Sequence, residues 1–536
     1  MKSLVILLFI LAVVGLPFTL KRSEETIGGA EDTVVVITPH NEGIRFEFET
    51  GFRRWYEERT GRTVDVDWRV VGGTSEIVRF IGSEYENAFR NYWRSELGRE
   101  WTPEVRAAYK DHRVESGDDP AGQARRAFLD SPVSIGIDVF FGGGSYEFIR
   151  QAAAGTLVPW KEPRELAERF PDELFPREFA GEVFWDREGR WIGAVLSSFG
   201  IMYNRDALGR LGIEGAPTRW DDLADPRLIG EVALADPTKS GSMTKAFEMI
   251  VQEKMHQRVG KLEAEGLPAG EAEARGVPQG WMDAMLLIQK ISANARYFTD
   301  SATKGPMDVA KGDCAVGMTI DFYGRFQSEV VATRGGGDRL RYLTPEGAST
   351  LSADPIGILR GAPNRGVADA FLDYVLSEEG QKLWGYRAGT EDGPVEYSLR
   401  RSPALRTIYE DPFRGSLSEP EVNPYEEVSD FVYRSDWTGR LFSPLRFLIR
   451  VAFIDPKKEL TEAWEAIGAA RRRGDTAAAD AALAVFSDLK EIDFAAASGP
   501  IAEILRSGDK IEEVRLAREL ADRFRERYET ARALAE

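Results

Sequence analysis

Val232-Ala233-Leu234-Ala235-Asp236-Pro237-Thr238-Lys239-Ser240-Gly241-Ser242-Met243-Thr244 is the stretch on which the fold turns. Four uninterrupted apolar residues read as a buried strand. A polar turn follows, and Ala246, Phe247, Ile250 and Val251 then take up helical spacing. A buried strand that passes through a short turn straight into a helix is the building unit of a parallel α/β sheet.

Working outward, the same junction occurs twice more. Thr33 to Ile37 is a β-branched run, Thr38-Pro39-His40-Asn41-Glu42-Gly43 is a polar turn, and Ile44, Phe46, Phe48, Phe52 and Trp55 predict a helix ending near Gly61. Val64 to Val70 alternates and reads as the next strand. Ile135 to Phe141 predicts a strand that enters Gly142-Gly143-Gly144-Ser145 and a helix through Phe148, Ile149 and Ala152 to Gly155. Trp191 to Ala194 and Gly200 to Asn204 are two further predicted strands. The fold class is therefore α/β.

Three regions depart from the alternation. Residues 83–132 are rich in charge and read as a helical insertion. Residues 253–279, charged with scattered Gly and Pro, read as a solvated excursion between helices. Alanine-rich residues 463–497, with Ile511, Val514, Leu520, Phe524 and Tyr528, predict a helical C-terminal region.

Composition removes several classes of function. The 536 residues suggest about three to five modules at roughly 100 to 200 residues each. With 69 Lys and Arg against 88 Asp and Glu the formal charge is −19, the wrong sign for a surface that must meet phosphate backbones, so no nucleic-acid partner is expected. One cysteine, Cys314, and three histidines, His40, His112 and His256, exclude a disulfide framework and a Cys/His zinc site. His112 and His256 lie in charged segments and read as solvated. Cys314 sits where a small buried apolar residue would.

The first segment reads as an address. Residues 3–20 carry no charge, Lys2 precedes them, and Lys21 and Arg22 follow. Residues 1–22 are therefore expected to be a signal peptide or an N-terminal membrane anchor, with the rest periplasmic or otherwise extracytoplasmic. No cysteine stands near them to carry a lipid.

In parallel α/β sheets the turns after the strands gather at the carboxyl edge, where ligands bind. Each helix start there offers free backbone N–H groups and the positive end of the helix dipole. The third turn is the richest, with hydroxyls on Thr238, Ser240, Ser242 and Thr244 and the charge of Lys239. A phosphate, phosphonate or carboxylate suits it, although helix capping alone would also explain Ser242 or Thr244. The sequence contains no G-x-x-x-x-G-K-[ST], G-x-S-x-G, H-E-x-x-H or G-x-G-x-x-G motif. Ser242-Met243-Thr244-Lys245 matches the S-x-x-K of acyl-transferring enzymes, without the companion S-D-N and K-T-G elements.

Four stretches together resemble the periplasmic solute-binding proteins of ABC importers, the class that includes ferric-iron, thiamine, polyamine and phosphonate binders. Val35 to Asn41 looks like the first strand and ligand loop, and Gly200 to Asp206 looks like the crossing strand. Ala235 to Ser242 is similar to the second lobe's anion loop. Ile356 to Asn364, with Ala368 to Leu376 and Ser377-Glu378-Glu379-Gly380-Gln381, is similar to the strand and helix returning to the first lobe.

The resemblance implies a type II periplasmic-binding fold of two α/β lobes: lobe 1 from 33–200 and 353–385, interrupted by the insertion 83–132, and lobe 2 from 201–352. Residues 386–536 would then form a mostly helical extension, part of it packing on lobe 2. It further implies a solute held in the cleft and delivered to a membrane permease, with no enzymatic activity, no cofactor and a monomeric state. The expected ligand-binding residues are Thr38, His40, Asn41, Gly143, Ser145, Tyr203, Thr238, Lys239, Ser240, Ser242, Thr244, Asp321 and Tyr323. Ferric members pair adjacent tyrosines with a histidine or carboxylate, and here Thr319-Ile320-Asp321-Phe322-Tyr323 has one tyrosine. If the cargo were iron, His40, Asp321 and Tyr323 would hold it; a small anionic solute is favoured. Two readings of other classes remain: an exported serine acyl-enzyme using Ser242 and Lys245, and a non-transporting protein whose helical tail binds a partner.

Overall fold

β1 (Asp32–Ile37) is parallel to β2 (Val64–Arg69) on one side and to β3 (Val139–Phe141) on the other. These strands belong to a computed structural model that describes residues 29–428 and 430–536, so the expected signal or anchor lies outside the described residues. After β4 (Leu157–Val158) and the hairpin of β5 (Glu178–Phe179) and β6 (Glu182–Val183), the chain enters β7 (Ile192–Ser197). At Ser198 it crosses into a second sheet as β8 (Phe199–Asn204), followed by β9 (Val232–Ala235), β10 (Ala295–Thr299), β11 (Val316–Ile320) and β12 (Leu340–Leu343). It crosses back to form β13 (Ser352–Leu359) and later adds β14 (Ser402–Pro403). The first sheet runs β14-β7-β13-β3-β1-β2, with β4 also on β13, and the second runs β10-β9-β11-β8-β12. Two sheets joined by two crossings make two α/β lobes.

The first sheet buries both faces. Ile44, Phe48 and Phe52 of helix Glu42–Thr60 pack with Phe371, Tyr374 and Trp384 on one face. On the other, Ile77, Ile81, Tyr85 and Phe89 of helix Thr74–Asn91 meet Tyr109 and Phe128 from the charge-rich region. The insertion thus has its own aromatic layer, reached by helices that alternate apolar and charged faces. The predicted strand 135–141 forms only over Val139–Phe141, because Gly136 takes a φ of +72° and turns the chain just before it.

Residues 253–279 are helical, a correction to the solvated excursion expected there. Helix Gly241–Ala264 runs through half of them, and helix Ala269–Asn294 begins after a short turn. The glycines that suggested a loop are the places where the two helices touch. A Cβ on Gly280 would stand 2.4 Å from Met255 Cα, and one on Gly276 2.8 Å from Val259 N, so only glycine permits the approach.

The C-terminal helices share the second lobe's core. Trp464, Phe486, Phe524 and Tyr528 are buried with Trp281 and Ile288. Trp281 Nε1 donates to the Ile492 carbonyl at 2.8 Å and Gln289 Nε2 to that of Phe486 at 2.8 Å, which satisfies polar atoms that packing alone would strand. Among the described residues, no helix is long and apolar enough to cross a membrane.

Candidate functional site

β9 and β11 run parallel, so the turns that follow them leave the same edge of the second sheet. β8 is antiparallel to β11, with Ile320 opposite Phe199 and Val316 opposite Tyr203. The edge holding Ile320 and Phe199 therefore faces the crossing at Ser198. There Asp321 N donates to the Ser198 carbonyl at 3.0 Å, and Ser349 Oγ ties the return crossing to Phe199 at 2.7 Å.

The expected turns do meet across the lobes. A Cβ built on Gly73 would stand 3.5 Å from the Lys239 carbonyl oxygen, and one on Gly241 would stand 3.9 Å from that of Gly143. Ser240 caps helix Gly241–Ala264, accepting from Met243 N at 3.2 Å, and Thr238 is folded onto Asp236 Oδ1 at 2.7 Å. Lys239 is exposed and Ser242 half-buried at this rim. Ser145 opens helix Ser145–Ala154 on the opposite side.

Other expected residues are spent on the scaffold. Asn41 Oδ1 caps its helix at Ile44 N, 3.1 Å, and Thr38 Oγ1 accepts from His40 N at 3.1 Å. Thr244 is wholly buried and donates to the Pro237 carbonyl at 2.8 Å, so its hydroxyl faces its own turn and not the cleft. Tyr203 is corrected outright: at the Val316 end of β8 it lies on the edge away from the crossing, in the second lobe's hydrophobic core.

The centre of the cleft holds a cluster of which only His40, Asp321 and Tyr323 were legible. Arg401, whose side chain is 1% exposed, pairs with Asp354 Oδ2 at 2.7 Å and donates to Ser197 Oγ at 3.0 Å. Its guanidinium carbon lies 4.3 Å from the Phe322 ring centroid on lobe 2 and 5.2 Å from that of Trp384 on lobe 1, so two aromatic faces sandwich the charge. Arg401 Nη1 stands 3.3 Å from His40 Nε2. Asp354 also accepts from Gly143 N, and from Gly144 N at 3.2 Å, filling the glycine turn with a carboxylate. Burial opposes its charge, but the Arg401 guanidinium and His40 hold its carboxyl far below the usual range.

Arg401 comes from the chain beyond the return helix, where no motif marked it. Its neighbour Arg400 has φ +53°, an uncommon left-handed conformation for a non-glycine residue. Ion pairs of Arg400 with Glu329, on helix Asp321–Val331, and with Glu419 hold that turn and aim Arg401 inward. The sequence signal was no more than two adjacent arginines.

Burial pushes the Asp321 carboxyl up and the Tyr323 hydroxyl up to about 12, while it pushes the His40 imidazole down. Arg401 fixes a positive charge 3.3 Å from His40 Nε2, and a metal ion on that nitrogen would be repelled strongly at such range. Among the described residues no cluster of three His, Cys, Asp or Glu is placed to hold a metal ion.

Lys245, the partner of Ser242 in the S-x-x-K match, is clamped 2.7 Å from Glu182 and 2.9 Å from Glu248. Burial opposes its charge, yet these two carboxylates hold its ammonium pKa above the ordinary value, which disfavours the neutral amine that a base toward Ser242 would need.

Beside Arg401 the cleft narrows to a cavity of about 20 Å³ bordered by Arg325, Arg400 and Tyr409. That is room for about one water. A groove of about 1050 Å³ lies elsewhere on the second lobe, lined by Asp221, Lys254, Asp283 and Trp464 among others. Three of its carboxylates are paired, Asp221 with Lys254, Asp225 with Arg227 and Asp283 with Arg258, and no buried polar atom without a partner lies among its lining residues.

Two lobes thus face each other with strand-to-helix turns on both sides of a cleft. Residues 133–397 match the family described as bacterial extracellular solute-binding protein. A protein of Haemophilus influenzae is 27% identical over 249 residues, 46% of this chain and 60% of its own length. The phosphoglycerate transport regulatory protein PgtC of Salmonella typhimurium is 23% identical over 193 residues, 36% of this chain and 40% of its own. The chain thus spans less than two thirds of the length of these relatives. Among solved structures, the periplasmic binding protein AfuA from Actinobacillus pleuropneumoniae, with fructose-6-phosphate bound, is 18% identical at a TM-score of 0.48, covering 79% of this chain and 99% of that one. Iron-bound HitA from Pseudomonas aeruginosa is 15% identical at 0.45, covering 77% and 98%.

Proposed function

We propose that the protein is the extracytoplasmic solute-binding component of an ABC-type importer, capturing a small anionic solute between its lobes and delivering it to a membrane permease. The observation that carries this reading is the approach of the Gly142–Ser145 and Asp236–Ser242 turns across the cleft, where a Cβ built on Gly241 would stand 3.9 Å from the Gly143 carbonyl oxygen. Each turn opens a helix of ten or more residues whose dipole favours negative charge. The ligand-binding residues of this reading are His40, Gly143, Ser145, Lys239, Ser240, Ser242, Asp321 and Tyr323, with Arg401 and Asp354 added from the structure. PgtC, named for phosphoglycerate transport, and AfuA with its sugar phosphate are consistent with an organophosphate as cargo.

Thermal unfolding against inorganic phosphate, sugar phosphates, phosphoglycerate, phosphonates, ferric citrate, thiamine and spermidine tests it. A ligand at about 100 times its Kd raises stability by roughly 2.7 kcal/mol, a readily measured midpoint shift. A shift with a phosphorylated or carboxylated compound supports the reading. Silence from the whole set, with acylation of Ser242 by an active-site reagent, replaces it with the enzyme reading.

A further inference from the structure

We propose that Arg401, supplied by the segment after the family's core, is the group that binds the solute's oxyanion, and that Asp354 is a built-in competitor that occupies the same guanidinium until the solute displaces it. This rests on the receptor reading above and names the chemistry of its site.

Three buried polar atoms in the cleft have no hydrogen-bond partner: Arg401 Nε, His40 Nδ1 and Asp321 Oδ2, on residues 3%, 7% and 1% exposed. Native proteins rarely leave such groups unpaired, and a ligand or water that completes them is one explanation for each. Arg401 can only donate. His40 Nε2 stands 3.3 Å from Arg401 Nη1 and 3.5 Å from Asp354 Oδ2, and its Nδ1 is left without a partner. Burial pushes the Asp321 carboxyl up, which lessens the repulsion an anion meets there. An unpartnered, obligatory donor on a buried guanidinium calls for a ligand rich in acceptors, and a phosphate or carboxylate is one.

Asp354 shows what that ligand resembles. Its carboxylate already lies against Arg401 and accepts from the backbone of the glycine turn at Gly143 and Gly144, the contacts an oxyanion at a helix start would make. Arg401 touches both lobes through Phe322 and Trp384, so an anion on it is bound to both at once. Asp354 belongs to β13, the strand by which the chain returns to lobe 1. Replacing Asp354 on the guanidinium therefore couples solute binding to the crossing between the lobes.

Calorimetric titration of the whole protein with inorganic phosphate, glycerol 3-phosphate and citrate, and with spermidine as the opposite charge, tests the assignment. At least one oxyanion binds the wild type, and the three arms separate free phosphate, phosphate ester and carboxylate. Arg401→Gln weakens that binding by about 10- to 100-fold, the worth of a charge-assisted hydrogen bond. Asp354→Asn keeps an acceptor for the glycine turn but removes the competing charge, and tightens binding by about tenfold or more. A purely structural Arg401–Asp354 pair predicts the reverse for Asp354→Asn, because breaking it loosens the cleft. If Arg401→Gln does not fold, the sign of the Asp354→Asn effect decides. Unchanged affinity in Arg401→Gln or weakened affinity in Asp354→Asn overturns the assignment and leaves the receptor reading standing. Binding of spermidine alone overturns the assignment and the anionic part of the receptor reading, whereas no binding by any probe overturns both.

Discussion

The ammonium of Lys245 on the second lobe lies 2.7 Å from a carboxylate oxygen of Glu182 in the first lobe's hairpin; Glu182 is buried and the Lys245 side chain is 12% exposed. Glu248 completes the clamp at 2.9 Å, the Tyr433 ring covers the ammonium at 3.6 Å, and Tyr433 itself donates to Glu248 at 2.9 Å. The pair stands behind the ligand turn and ties the lobes together. The C-terminal region adds to the bracing, since Tyr146 of the first lobe stacks on Phe442 at 4.2 Å and its hydroxyl meets Ser443 Oγ at 3.1 Å.

Removing Lys245 leaves two carboxylates buried without a counter-ion. Lys245→Met is expected to lower the unfolding free energy by about 3 to 5 kcal/mol, and adding Glu182→Gln to recover part of it. Urea denaturation of the single and double variants measures this. A loss below about 1 kcal/mol would show that water reaches the pair and the clamp is not a brace.

Glu47, 1% exposed, accepts from the backbone N–H groups of Val395, Glu396 and Tyr397 at 2.6, 2.7 and 2.7 Å. Glu47→Gln trades an acceptor oxygen for a donor that faces an N–H. A loss of about 2 to 3 kcal/mol is expected, with faster hydrogen exchange confined to residues 393–399. Exchange that rises across the whole first lobe instead would mean that the loop was never held locally.

At the helix contact in the second lobe, Gly280→Ala forces a methyl against the backbone of Met255 and is expected to cost about 1 to 3 kcal/mol. Gly270, exposed near the start of the same helix with open space around it, is the control. Gly270→Ala raises stability by up to about 1 kcal/mol through helix propensity. Equal effects at the two sites would contradict the close approach.

His40 gives the cleft a pH dependence. Burial holds its pKa below the usual value, Arg401 and Arg45 push the same way, and Asp354 pushes back. With the folded pKa depressed, the contribution is complete above about pH 6.5 and is lost as pH falls through the folded value. Wild-type stability should therefore drop between about pH 7.5 and pH 5 more steeply than that of His40→Gln. The raised carboxyls of Glu182, Glu253, Asp321 and Glu427 titrate in the opposite sense but are common to both proteins, so they cancel in the difference. Parallel curves from urea midpoints would mean that folding leaves the His40 pKa unchanged, and a difference of the opposite sign would mean that His40 stays protonated in the folded cleft.

Much of the second lobe was readable because its signals are local. Val232–Ala235 is a strand at the predicted residues, and Ser240 caps the helix that the turn announced. The two strands expected at Trp191 to Ala194 and Gly200 to Asn204 exist, but they meet at Ser198 and so form one crossing. Residues 253–279 misread because Gly276 and Gly280 act across a helix pair, and a glycine that admits a neighbour looks the same in sequence as one that ends an element. Tyr203 misread for a similar reason: the strand was right, but which end of it meets the cleft depends on its antiparallel register with β11.

By itself the sequence determined the α/β class, the strand–turn–helix junctions, the anionic balance and the absence of Cys/His zinc chemistry, because periodicity, capping and composition act within a few residues or over the whole chain. Only the tertiary structure decided that Arg401 and Asp354, 47 positions apart, share the centre of the cleft with His40, more than 300 positions earlier. It also decided that Thr244 serves its own turn and that Lys245 is a brace. Those outcomes depend on burial and on partners brought together by sheet order, and an arginine that is 1% exposed between two aromatic rings is written in one letter like any arginine on the surface.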